Sequence, residues 1–84
     1  MIFVFSSVTA AKRVEKTIAK YGVLSQVIHT PKVIGKGGCS HSVRFKDRDY
    51  ELVEKIIAES EINPIGAYYE IFSNGACVYS EVKI

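Results

Sequence analysis

Ile65-Gly66-Ala67-Tyr68-Tyr69-Glu70-Ile71-Phe72-Ser73-Asn74-Gly75-Ala76-Cys77-Val78-Tyr79-Ser80-Glu81-Val82 carries the sharpest local instruction in the chain. Asn-Gly tolerates the positive φ angles of a two-residue turn, so Ser73 to Ala76 predicts a β-hairpin between strands at 66–72 and 77–82. Working back from it, Asn63-Pro64 closes a helix in which Tyr50, Val53, Ile56 and Ile57 make an apolar stripe and Asp47 supplies the N-cap. Before that helix, His41, Val43 and Phe45 point one way and Ser42 and Arg44 the other, as in a half-buried strand over 41–45. A β-branched run predicts another strand at 24–28.

The N-terminal part repeats the pattern. Ile2-Phe3-Val4-Phe5 is a short, wholly apolar run, as expected of a central strand paired on both sides. Ser6 or Ser7 caps the helix that follows, whose apolar positions are Ala10, Ala11, Val14, Ile18 and Tyr21, and Gly22 ends it in the left-handed region. The order β-α-β-β-α-β with one extra terminal strand predicts a ferredoxin-like α+β sandwich, with both helices on one face of an antiparallel sheet. At 84 residues the chain is expected to form one domain spanning 1–84, since so short a sequence buries only about 60 to 65% of its extended surface.

Composition narrows the function classes. Eleven basic against nine acidic side chains give a net charge of +2, far from the basic balance of a protein held mainly by phosphate contacts. An RNA-recognition module shares this strand order, but Gly38, Ser40 and Ser42 stand where its third-strand stacking aromatics are needed, so no nucleic-acid partner is expected. The apolar start is too short for a signal-peptide core or a membrane span, and two cysteines cannot make a disulfide framework; the expectation is a cytoplasmic protein with no membrane partner. Without a C-x-x-C or H-x-x-x-H pair, no metal or other cofactor is expected. Glu15, Glu51, Glu54 and Glu70 read as solvated charges.

The chemistry concentrates in Thr30-Pro31-Lys32-Val33-Ile34-Gly35-Lys36-Gly37-Gly38-Cys39. A cysteine with pKa near 8.5 is only slightly ionised at neutral pH, and neighbouring positive charge raises its thiolate fraction. Lys32, Lys36 and His41 are the candidates for that charge, and Gly37 and Gly38 can turn backbone amides toward an anion. The stretch lacks the Gly-Lys-Ser/Thr ending and following helix of a nucleotide-binding loop. A thiolate here is suited to accept a sulfur atom, hold it as a persulfide and release it by thiol exchange. Cys77, inside a strand, reads as packing or edge filler, and His29 as a strand-end residue.

The opening strand, the Ser-bearing helix start, His29-Thr30-Pro31-Lys32-Val33-Ile34, Cys39 and Val43-Arg44-Phe45 together resemble the small domains described as selenium/sulfur carrier protein-like, over roughly residues 1 to 70. In that family a Pro-x-Pro-Arg segment precedes a Cys-Gly pair, and the cysteine is the proposed carrier; Pro31 and Cys39 match. His29 replaces the first proline, Lys32 the arginine and Ser40 the glycine, and lysine keeps the charge while losing the planar fork. The resemblance implies a carrier of sulfur or selenium rather than a turnover enzyme. Its partners would be a cysteine desulfurase or other donor, and an acceptor protein. The alternative is a small-molecule-binding or regulatory module acting as a homodimer, for which fold analogy is the warrant.

Overall fold

A computed structural model describes residues 1–34 and 40–82. The elements are β1 (Ile2–Phe5), α1 (Val8–Ala19), β2 (Ser25–His29), β3 (His41–Phe45), a 3₁₀ turn (Asp47–Asp49), α2 (Tyr50–Ser60), β4 (Gly66–Ser73) and β5 (Ala76–Val82). They form one antiparallel sheet in the order β2-β3-β1-β4-β5. This is the expected ferredoxin-like arrangement extended by one edge strand.

β1 lies in the middle, and its alternation divides the core in two. Phe3 and Phe5 face the helices and pack with Ala11, Val14, Ile18, Val43, Val53, Ile56 and Ile57. Ile2 and Val4 face the other side and pack with Tyr68, Ile28, Ile34 and Tyr79. Phe3 meets Phe45 edge-on at 5.2 Å between ring centres, so the strand bonds of β1 and β3 are reinforced by a cross-strand aromatic pair.

Local signals set the ends of the elements. Ser7 caps α1 by accepting the Ala10 N–H at 3.1 Å. Gly22 takes φ +84°, which lets the chain leave α1 and return the Val23 N–H to Ile18 O at 3.1 Å. Asn74 and Gly75, at φ 50° and 78°, make the hairpin turn.

Two local expectations are corrected. Tyr21 lies beyond the end of α1 and is 56% exposed, outside the apolar stripe, because the helix stops at Ala19. Asp47 does not cap α2: it opens the 3₁₀ turn, α2 starts at Tyr50, and the Asp47 carboxylate instead accepts the Met1 ammonium at 2.7 Å.

The buried Phe3 is expected to dominate stability. Phe3→Ala should cost about 3 to 5 kcal/mol in denaturant unfolding, whereas Tyr21→Ala should stay within about 0.5 kcal/mol.

Candidate functional site

The glycine-rich segment connects β2 to β3, so its two ends are held by adjacent strands. Register sets His29 opposite His41, and their rings lie 4.8 Å apart on the helix side of the sheet. One step further out, on the opposite face, the Thr30 N–H donates to Ser40 O at 3.4 Å, and the Thr30 and Ser42 hydroxyls share a hydrogen bond of 2.9 Å. Ser40 and Ser42 are buried. The hydroxyl pair is satisfied within the fold, as buried polar groups must be.

From Thr30 the chain turns back over the sheet. The Ile34 N–H donates to Pro31 O at 3.0 Å, Lys32 and Val33 stay exposed, and Ile34 packs on Ile2, Val4 and Tyr68. Pro31 thus helps form the turn that seats Ile34, while Lys32 projects from it. Gly35, Lys36, Gly37, Gly38 and Cys39 lie outside the described residues. Of the sequence-selected residues the structure therefore places Pro31, Lys32 and His41 around the two ends of the loop.

Val33 and Ile34 form one wall of a cavity of about 500 Å³ whose other walls are Tyr68, Cys77, Val78 and Tyr79. Cys77 is exposed on the edge strand, so it fills no core space and the packing role is corrected. Burial pushes the Tyr79 phenol above the ordinary tyrosine value, and the neighbouring Cys77 side chain pushes the same way. Ser40, covalently next to Cys39, stands one residue beyond the His41–Phe5 pair, while Cys77 stands four residues beyond Tyr68, which faces Ile2. Three strand spacings and about eight residue rises separate Ser40 from Cys77, roughly 14 Å across and 25 Å along the sheet. The two residues occupy opposite corners.

Sequence reasoning missed the charge at the other end of this face. Glu70 is not solvated: its side chain is 6% exposed and accepts from Arg44 Nε at 3.0 Å and Nη2 at 2.9 Å. That bond pushes the Arg44 guanidinium above its ordinary range. The pairing emerges only with register, which puts Arg44 and Glu70 on the face of Ile2 from the two strands that flank it. Among the described residues no group of three His, Cys, Asp or Glu is placed to hold a metal ion, and no helix is long and apolar enough to cross a membrane.

In comparison with known families, residues 1–69 fit the family described as "Putative Se/S carrier protein-like". The chain belongs to this family. No curated protein and no solved structure matches the chain. The matched span contains the whole β2–β3 loop with Cys39 and ends within β4, so Cys77 and β5 lie beyond it.

The clamp at the loop base is testable by a double-mutant cycle. Thr30→Val strands the buried Ser42 hydroxyl and should cost about 1 to 3 kcal/mol; adding Ser42→Ala should recover part of that loss, because no orphaned hydroxyl then remains. A second check is alkaline titration followed by tyrosinate absorbance. Tyr79 should ionise later than a free phenol, so its contribution to stability is fully present below about pH 10 and is lost as pH rises through the folded value.

Proposed function

We propose that the protein carries sulfur or selenium on Cys39, accepting the atom from a donor protein and passing it to an acceptor. The observation that carries this reading is the family match over residues 1–69, which includes Cys39 and leaves out Cys77. The geometry around the loop is consistent with the role. His29, Thr30, Ser40, His41 and Ser42 hold its two ends on adjacent strands, and Ile34 anchors its first half on the sheet.

The chemistry balances without an external oxidant. The Cys39 thiolate attacks the outer sulfur of a donor persulfide; the donor S–S bond breaks, a new S–S bond forms on Cys39, and the donor leaves as a thiolate. An acceptor thiolate then repeats the exchange, and Cys39 returns to its starting state. A cysteine desulfurase, which bears such a persulfide, is a donor of the right class. The same exchange with a selenopersulfide moves selenium.

Lys32 and Lys36 supply positive charge that favours the thiolate, and Gly37 and Gly38 give the thiol a backbone that a partner can approach closely. His41 adds to this at the return end of the loop. Its register partner Phe5 is followed, at Val8, by the start of α1, whose amino end favours negative charge. The role is that of a carrier, in which the protein leaves each transfer altered by one atom.

Loading is read by intact mass before and after a reductant. Wild type should gain reducible sulfur mass from a persulfide donor, Cys39→Ser should gain none, and Cys77→Ser should load normally. Replacing Lys32 and Lys36 by Gln should slow loading roughly tenfold for each unit by which the thiol pKa rises toward the free value. Wild type that gains no reducible mass, or a gain that follows Cys77, contradicts the reading.

A further inference from the structure

β5 is the outermost strand, and the side turned away from β4 meets no strand among the described residues. The two-residue turn makes Ser73 and Ala76 a pair that exchanges both backbone hydrogen bonds. Alternation from that pair bonds Val78, Ser80 and Val82 inward to β4, so Cys77 and Tyr79 turn their N–H and C=O outward. Apart from the single charge of Glu81, the edge lacks the usual protection. Its register runs unbroken from Ala67–Val82 to Ser73–Ala76, with no bulge, no proline and no lysine within Ala76–Val82.

The hairpin also outruns the rest of the sheet. β1 pairs with β4 only as far as Ile2–Tyr68, leaving the end of the hairpin as a two-stranded ribbon. Ile71 and Val78 on one of its faces are 48% and 55% exposed, and Phe72 on the other is 77% exposed. A ribbon with apolar residues on both faces and a regular backbone edge fits pairing with another strand.

We infer that β5 pairs antiparallel with β5 of a second copy about a two-fold axis at Ser80, joining two five-stranded sheets into one. A symmetric pair must set outward-bonding residues against each other, which leaves few registers. An axis at Glu81 sets two carboxylates directly opposite, which is unfavourable. An axis at Tyr79 sets Cys77 against Glu81, a pair with little to exchange. The axis at Ser80 sets Tyr79 beside Glu81 twice, bringing a second phenol donor to a carboxylate that already accepts from Tyr68 of its own chain at 3.3 Å, and Val78 beside Val82 twice on the helix side. An axis at Val78 sets Cys77 against Tyr79, with no carboxylate to accept the phenol, so the register at Ser80 is the one that joins a strong hydrogen-bond donor to an acceptor and apolar to apolar side chains.

The axis stands perpendicular to the sheet, so both copies turn the same face the same way. The cavity of Val33, Ile34, Tyr68, Cys77, Val78 and Tyr79 then borders the seam in each copy, with Glu81 of the second copy as a neighbour. The segments that seat the two carrier loops flank one joint surface. The pairing stands whether or not Cys39 carries sulfur.

The test uses the full chain carrying Cys39→Ser and Cys77→Ser, so that oligomer formation is read without any sulfur loading. Sedimentation velocity should show the average mass rising from monomer toward dimer with protein concentration, and Val78→Lys should hold the protein monomeric over the same range. Ser80→Cys in this background should form a disulfide-linked dimer under mild oxidation at least about tenfold faster than Ser73→Cys at the hairpin turn, since proximity raises effective concentration. Protein that stays monomeric at millimolar concentration, a dimer indifferent to Val78→Lys, or equal cross-linking at the two positions overturns the inference.

Discussion

β1 is a four-residue strand buried on both faces, and the placement of the loop depends on it. A strand so short can be central only if each side chain finds a packing partner. Phe3 and Phe5 find the helices, while Ile2 and Val4 find Tyr68 on β4 and Ile34 on the loop. The helices cover one face, so the second face is left for the connection between β2 and β3. Ile34 occupies it. The glycine-rich segment is thereby tied to the core through one side chain at its start and through the Ser40–Ser42 region at its end.

This arrangement fixes the two ends of the proposed carrier loop. Hydrogen bonds and buried hydroxyls hold the loop base, where backbone polar groups would otherwise be left unsatisfied. The charged Arg44–Glu70 pair, by contrast, lies near the opposite end of the same face and links β3 to β4 across β1. It is partly exposed on the arginine side and nearly closed on the carboxylate side, so removing Arg44 would leave the buried carboxylate with the Met1 ammonium, 3.7 Å away, as its remaining ion-pair partner. Its work is structural.

Much of the fold was legible because short-range chemistry and long-range packing agree. The Asn74-Gly75 turn, the Ser7 cap, Gly22 and the alternation of His41 to Phe45 each specify one local conformation, and the sheet order satisfies them together. Asp47 and Glu70 were misread for the same physical reason. Both are acidic residues whose partners, the Met1 amino group and Arg44, come from distant parts of the chain, and no local pattern announces such a partner. Pro31, Lys32 and His41 were recognisable as parts of one loop, but the Thr30–Ser42 clamp and the seat of Ile34 become visible only with register. Cys39, Lys36, Gly37 and Gly38 fall outside the described residues, so the roles proposed for them rest on sequence chemistry, within a span that the family match covers.

The central claim is that the transferable atom sits on Cys39. The most direct measurement is to load wild-type protein from a persulfide donor, block all thiols and persulfides by alkylation, and locate the added sulfur by peptide mass spectrometry. The account predicts added sulfur on the peptide containing Cys39 and a plain alkylated thiol on the peptide containing Cys77. Added sulfur confined to Cys77, or found on neither peptide while the donor retains its persulfide, would contradict it.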